Sequence, residues 1–491
     1  MKFLKYLDVR QFSRTNRYYF LFNVVLGLWT LFFFAFTRDN PVQQSFINML
    51  FDKAIVARSG GSGASSIFNI VEIGHESDAK IASKNIIMLS LNDEAIKDLR
   101  RPNMTPRNKI ADMIRYAYEG GASVIVLDVA LSYSDNSPAF KRVGDPAPMT
   151  GQERDKELFN LLEKIKNDTT SNSRVLIYAD QMGDSEFATL IDDKKIYLAT
   201  PQVSASLESS RRVRFWKPYS EIIEYEDEFE TRKVLWSFEL LTLALMEGGE
   251  EELERISQNI LHGDDDEFTM HCKSGRDFVF YREISLDNYL TFRDTSSLQY
   301  NRIQYVFTPQ GNWDERTIYE NIGHWHDNSP DTLDNTKIDF RNKVVIVGRE
   351  DKECDDFLLT PIGRMAGMYV HGNAIATVLG KTQPHISPLW KYLLIEIALI
   401  IITAYVFVYL QYSGAKRFAC ALTIICMFGS YAYFCFTNEF VYLTCSFTSI
   451  GIYNFVSKME QFFKRKSTVK SYLKKFFRRK SSNKEPVNLE K

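Results

Sequence analysis

Asp93, Arg107, Asp128, Asp356 and His371 are the residues whose types and spacing best suit chemistry in this chain. Asp93 follows one apolar run, Ile86–Leu91, and Asp128 closes the middle of another, Ser123–Val129. If those runs are neighbouring strands of a parallel sheet, both carboxylates stand at strand carboxyl ends, where open α/β sheets bind ligands. Arg107 enters the helix between them and could pair with either. Two readings stay open: a structural ion pair with a helix cap, or a pocket for a small polar or anionic molecule. Two carboxylates also suit acid–base catalysis. No nucleophile or metal set accompanies them, so a non-enzyme without cofactor is expected.

Asp356 lies in an acidic loop and His371 on the helix after it. An unperturbed imidazole titrates near pH 6.5, so the pair reads as a pH-responsive contact or as a hydrogen bond that pins the loop. His324-x-His326 alternates around Trp325 like metal ligands on a strand, but no third ligand is near in sequence. Asp264–Glu267 lacks the spacing of a calcium loop and reads as a solvated turn. The glycine cluster at 59–66 has no Gly-Lys-Ser/Thr after it, so it reads as a flexible joint and not a phosphate loop.

These residues need a scaffold, and the segment after 59–66 alternates strand and helix patterns. Ile86–Leu91, Ser123–Val129, Arg174–Ala179 and Lys343–Val347 are near-continuous apolar runs, as expected of strands buried on both faces. Thr105-Pro106 opens a helix carrying Ile110, Met113, Ile114 and Ala117 on one face, and Gly120-Gly121 stops it. Thr150-x-x-Glu153 is a capping box for a helix lined by Leu158, Leu161, Leu162 and Ile165. Phe238–Met246 and Val42–Val56 also read as helical. The pattern predicts a layered α/β domain with a mostly parallel sheet, and antiparallel additions within the polar stretch 185–340.

Four stretches have close to the twenty apolar residues of a bilayer span: Tyr18–Phe36, Trp390–Tyr412, Phe418–Phe436 and Phe440–Val456. The net charge of −2 hides an asymmetry. Residues 1–17 carry +4, Lys416 and Arg417 add +2, and 458–491 carries +9, leaving the remainder near −17. The positive-inside bias then places both termini in the cytoplasm and 37–388 outside. Glu396, inside the second span, is an ionisable residue at membrane depth and so a functional candidate. The basic tail from Lys458, with Phe462, Val469, Leu473 and Phe476 at helical spacing, reads as a helix on anionic lipid or a docking site for a partner, and less well as a nucleic-acid surface. Of six cysteines only Cys272 and Cys354 lie outside the spans, which permits one disulfide at most.

The segment 40–380 resembles the second type of CHASE domain, a sensing module of bacterial membrane receptors. The similarity rests on four blocks in order: Leu91-Asn-Asp-Glu-Ala-Ile96; Pro106-Arg107 with Gly121-Ala-Ser-Val-Ile-Val-Leu-Asp128; Asp155-x-x-Leu158; and Lys343-Val-Val-Ile-Val-Gly348 through Asp356, Thr360-Pro361, Gly367 and His371-x-Asn373. Asn92 and Gly372 depart from the family's Asp and Ala. The resemblance implies an inner-membrane sensor for an unidentified small extracytoplasmic ligand. Family members usually continue into a cytoplasmic enzyme, whereas about 35 residues follow the last expected span here, too few for a catalytic domain. A separate cytoplasmic or membrane partner is therefore expected to supply the output, relayed through the strand, loop and helix of 343–379. A scaffold or anchor subunit of an envelope complex is the alternative, and homo-oligomerisation stays open.

Overall fold

The computed structural model describes residues 14–36, 41–58, 78–91, 105, 107–131, 151–178, 186–192, 194–205, 213–226, 229–263, 265, 267–275, 277–282, 301–305, 339–350, 356–381, 384–387, 389–409 and 412–441. Its helices in chain order are α1 (Arg14–Phe36), α2 (Pro41–Arg58), α3 (Asp78–Ser83), α4 (Arg107–Glu119), α5 (Gly151–Asn167), α6 (Phe238–Glu247), α7 (Glu250–His262), α8 (Gly367–Leu379), α9 (Leu389–Tyr409) and α10 (Tyr412–Thr437). The strands are β1 (Ile86–Leu91), β2 (Val124–Leu127), β3 (Arg174–Tyr178), β4 (Ile196–Ala199), β5 (Val203–Ala205), β6 (Val213–Trp216), β7 (Tyr219–Glu226) and β8 (Phe229–Trp236). They continue with β9 (Glu267–Met270), β10 (Phe278–Tyr281), β11 (Val344–Arg349), β12 (Phe357–Thr360), β13 (Gly363–Ala366), β14 (His385–Ile386) and β15 (Glu439–Phe440). One compact unit comprises Pro41–Ile386 and Ala432–Phe440, and a second comprises Met1–Asn40, Ser387–Tyr431 and Val441–Lys491.

The apolar runs form a five-stranded sheet in the order β1-β11-β2-β3-β4, parallel throughout. All four residues of β2 and all six of β11 are buried, which is why their sequences show no polar alternation. Successive side chains serve opposite faces. Leu89, Leu91, Ile125, Leu127, Val345 and Val347 join a core with Ile110, Met113, Ile114 and Ala117 of α4 and Leu158, Leu161, Leu162 and Ile165 of α5. On the other face α8 packs on β1 and β11, flanked by α3 and α6. Gly121, at φ 84°, takes the left-handed conformation that ends α4.

The order corrects one expectation. The strands that precede Asp93 and Asp128 are not neighbours, because β11 is inserted between β1 and β2. The last of the five strands in sequence thereby takes an interior place, with β1 on one side and β2 on the other. The polar middle supplies three antiparallel hairpins, β5-β6, β7-β8 and β9-β10, as expected.

In the second unit α1 packs along α9, with Gly27 close against Ile400. Helices α1, α9 and α10 occupy the places of three expected spans. Taken over the described residues, no helix is long and apolar enough to cross a membrane. Phe440, expected to open a fourth span, instead pairs with Ile386 in a short parallel ladder. Residues 442–456 of that span, the basic tail, the 59–66 joint, Thr150, His324, His326, Cys354 and Asp93 lie outside the described residues. Cys272 is a buried free thiol.

Candidate functional site

A hairpin register brings Asp356 to His371. β12 and β13 pair antiparallel with Phe357 opposite Ala366, so the residues just outside the pair, Asp356 and Gly367, also face each other. The Gly367 amide donates to the Asp356 carbonyl at 2.8 Å, and a Cβ at Gly367 would overlap the Asp356 carboxyl group. Only glycine lets this carboxyl approach the first turn of α8. One turn along, His371 is 3% exposed, with its ring edge against Phe238 at 5.7 Å.

Asp128 arrives from the sheet. Its amide donates to Val347 at 2.8 Å, extending the β2–β11 ladder by one residue past β2. Glu239 arrives from α6, whose first turn is fixed by Ser237: the serine side chain accepts from the Leu240 amide. His371 Nδ1 donates to Glu239 Oε1 at 2.8 Å. Glu239 is fully buried, and its second oxygen, Oε2, meets no hydrogen-bond donor among the described residues.

The site thus gathers three carboxylates and one imidazole from four elements. Burial works against a charged His371, but the negative charge of Asp128, the hydrogen bond and charge of Glu239 and the charge of Asp356 outweigh it and raise the imidazole to about 9. Desolvation and the neighbouring Asp128 push Asp356 up to about 7, against the pull of His371 and the Gly367 amide. Desolvation likewise raises Asp128, with His371 opposing and Glu239 adding to the rise. Asp356 is exposed as a whole residue and Asp128 is half-exposed. Proton affinity follows the crowding around each carboxyl group and not the exposure of the whole residue, so the upward direction stands for both.

Arg107 is engaged elsewhere. Its Nη2 donates to the Ala130 carbonyl at 2.8 Å, and its Nε lies 3.6 Å from Asp155 on α5. The sequence expectation pairs Arg107 with Asp93 or Asp128; the described ion pair is instead with Asp155, and it ties together two of the sequence blocks, Pro106-Arg107 and Asp155. Asn373 likewise works inside α8, donating to the Tyr369 carbonyl at 2.8 Å. Glu239 escaped the sequence reading. Its only signal was a lone acid in the otherwise apolar run Phe238–Met246.

A family model described as the CHASE2 domain matches residues 25–408, well over half of the chain. The chain belongs to the CHASE2 family. CHASE2 domains are sensing domains, typically extracytoplasmic, so the family assigns the chain a sensory class of function. The last and most specific of the CHASE2-like blocks is the one that supplies β11, Asp356, Gly367 and His371 to the site. No curated protein and no solved structure matches the chain.

Proposed function

We propose that this CHASE2 protein is a membrane-anchored extracytoplasmic sensor whose cue is received at the Asp128–Glu239–Asp356–His371 cluster. It is a non-enzymatic receptor of a bacterial inner membrane, with 37–388 outside and four spans at 18–36, 390–412, 418–436 and 440–456. The observation that carries the reading is the cluster itself: titratable groups from four elements meet at the carboxyl end of a buried parallel sheet, the usual ligand edge of such folds. Three acids crowd one imidazolium, and the negative charge they develop as they ionise disfavours an anion and favours a positively charged cue, either the proton or a small organic cation.

Membrane anchoring is supported by the four apolar stretches of the sequence and by the surface of α1 and α9. They present large apolar side chains outward, among them Val25, Trp29, Phe32, Leu394 and Ile402. Contiguous apolar surface of that kind is what a lipid or protein environment covers. The basic 458–491 tail suits anionic lipid and docking of the partner that carries the output.

Thermal unfolding of the full-length protein in lipid nanodiscs tests the site, read at pH 6 and pH 8 with and without a simple amine such as agmatine. A sensing cluster predicts a midpoint that changes with pH or amine and a response abolished by Asp356→Asn with His371→Gln. A response unchanged in that double variant would refute the assignment, and no response at all would favour a scaffold.

A further inference from the structure

Away from the sensing cluster, one face of α2 is buried in charge. Asn48, Phe51 and Asp52 recur at the i, i+3, i+4 spacing of a single helix face. Arg214 of β6 grips Asp52 with both Nε and Nη2, at 3.0 and 2.6 Å. Arg302 adds Nη1 at 3.3 Å to the same carboxylate and donates from Nη2 to Asn48. All three charged side chains are at most 5% exposed. One carboxylate therefore serves two guanidiniums, and aromatic faces take up part of the remaining charge. The Arg302 guanidinium lies 4.3 Å from the Phe51 ring and 5.1 Å from the Phe215 ring.

Phe51 also has a second set of partners. It stacks on Phe440 at 4.9 Å and 6°, and meets Phe434 edge-on at 5.4 Å. Phe440 belongs to β15, which pairs with β14, where the His385 amide donates to Asn438 at 3.0 Å. All these residues belong to one compact unit. In the chain, residues 37–40 alone separate α2 from α1, residues 387–388 separate β14 from α9, and Phe434 sits on the last turn of α10. Two routes toward long apolar helices, α2 itself and the end of α10, thus meet at Phe51, and the third, β14, reaches it through its ladder with β15.

We propose that the Asn48–Phe51–Asp52 face of α2 is the transmission joint of the protein: the Arg214–Arg302 pair holds α2, and Phe51 passes its position to β14, β15 and the end of α10. The joint is distinct from the 343–379 segment that the sequence singled out for relay, and it does not depend on which cue the cluster receives. The bidentate and aromatic contacts fix both the axial position and the rotation of α2, because Arg302 holds Asp52 and Phe51 together while Arg214 adds a second grip on Asp52 and Phe440 and Phe434 a second set of contacts to Phe51. A helix held at both levels moves its neighbours when it moves.

Hydrogen exchange on the full-length chain in lipid nanodiscs tests this, comparing wild type with Asp52→Asn and Phe51→Leu. Asp52→Asn is expected to speed exchange about tenfold in 47–56 and together with it in 384–387 and 434–441, while 86–91 and 344–349 stay protected. Phe51→Leu keeps the ion pairs and is expected to speed 384–387 and 434–441 with little change in the first turns of α2. Faster exchange confined to 47–56, or a uniform rise that includes the sheet, would overturn the joint. Should Asp52→Asn fail to fold, Phe51→Leu decides alone: unchanged exchange at 384–387 and 434–441 refutes the proposal.

Discussion

At His371 burial and charge pull in opposite directions, and three carboxylates decide the outcome. Because His371 is raised to about 9 and Asp356 to about 7, the folded protein holds protons that the unfolded chain, titrating near 6.5 and 3.8, has released. A group with a raised folded pKa contributes stability that is complete below its unfolded pKa and lost as pH rises through its folded pKa. Stability is therefore expected to fall from about pH 4 to pH 7 through Asp356 and from about pH 6.5 to pH 9 through His371. Urea titrations across pH 5 to 9 check this: Asp356→Asn should flatten the lower window and His371→Gln the upper one. A separate outcome is expected at Arg107. Removing it leaves Asp155 buried without its cation, so Arg107→Ala should cost about 3 kcal/mol in denaturant unfolding. An unchanged midpoint would return Arg107 to the candidate ligand contacts. Individual acids were only partly legible in the sequence. Asp128, Asp356 and His371 announced themselves by position, while Glu239 needed the packing of α6 against α8, which no local pattern encodes.

Elements explain how the departures from the family pattern are accommodated. Gly372 stands where the resemblance to the family implies alanine, and a Cβ there would run into the Met88 side chain of β1. Alanine would gain up to about 1 kcal/mol of helix propensity, but the overlap falls in a fully packed layer where added volume costs about 1–3 kcal/mol. Met88 is 3% exposed and has little room to yield, so Gly372→Ala alone should destabilise. With Met88→Val beside it the penalty should shrink, giving a coupling energy of about 1 kcal/mol or more in a double-mutant cycle. Strand and helix identities were readable because β2 and β11 are buried throughout and α4 and α5 keep a clean apolar face. Strand order was not readable: nothing local in Lys343–Val347 states that it will separate β1 from β2. The hairpin of β12 and β13 was missed for a related reason, since its value lies in bringing Asp356 back onto Gly367.

At the scale of the whole molecule, the proposed relay rests on a buried ion-pair and aromatic cluster within the unit that also holds the sensing cluster. Charge asymmetry carries the proposed orientation, but the meeting of α2, β15 and α10 at Phe51 arises only once distant segments fold together. The measurement that bears most directly on sensing and relay is co-purification after gentle cross-linking in native membranes at pH 6 and pH 8. It compares the full-length protein, a version ending at Lys458 and the Asp356→Asn variant, with captured chains identified by mass spectrometry. A sensor that relays through its tail is expected to capture a partner chain that is lost with the tail and whose recovery differs between the two pH values in the wild type and not in Asp356→Asn. The same set of chains at both pH values, retained without the tail, would contradict it.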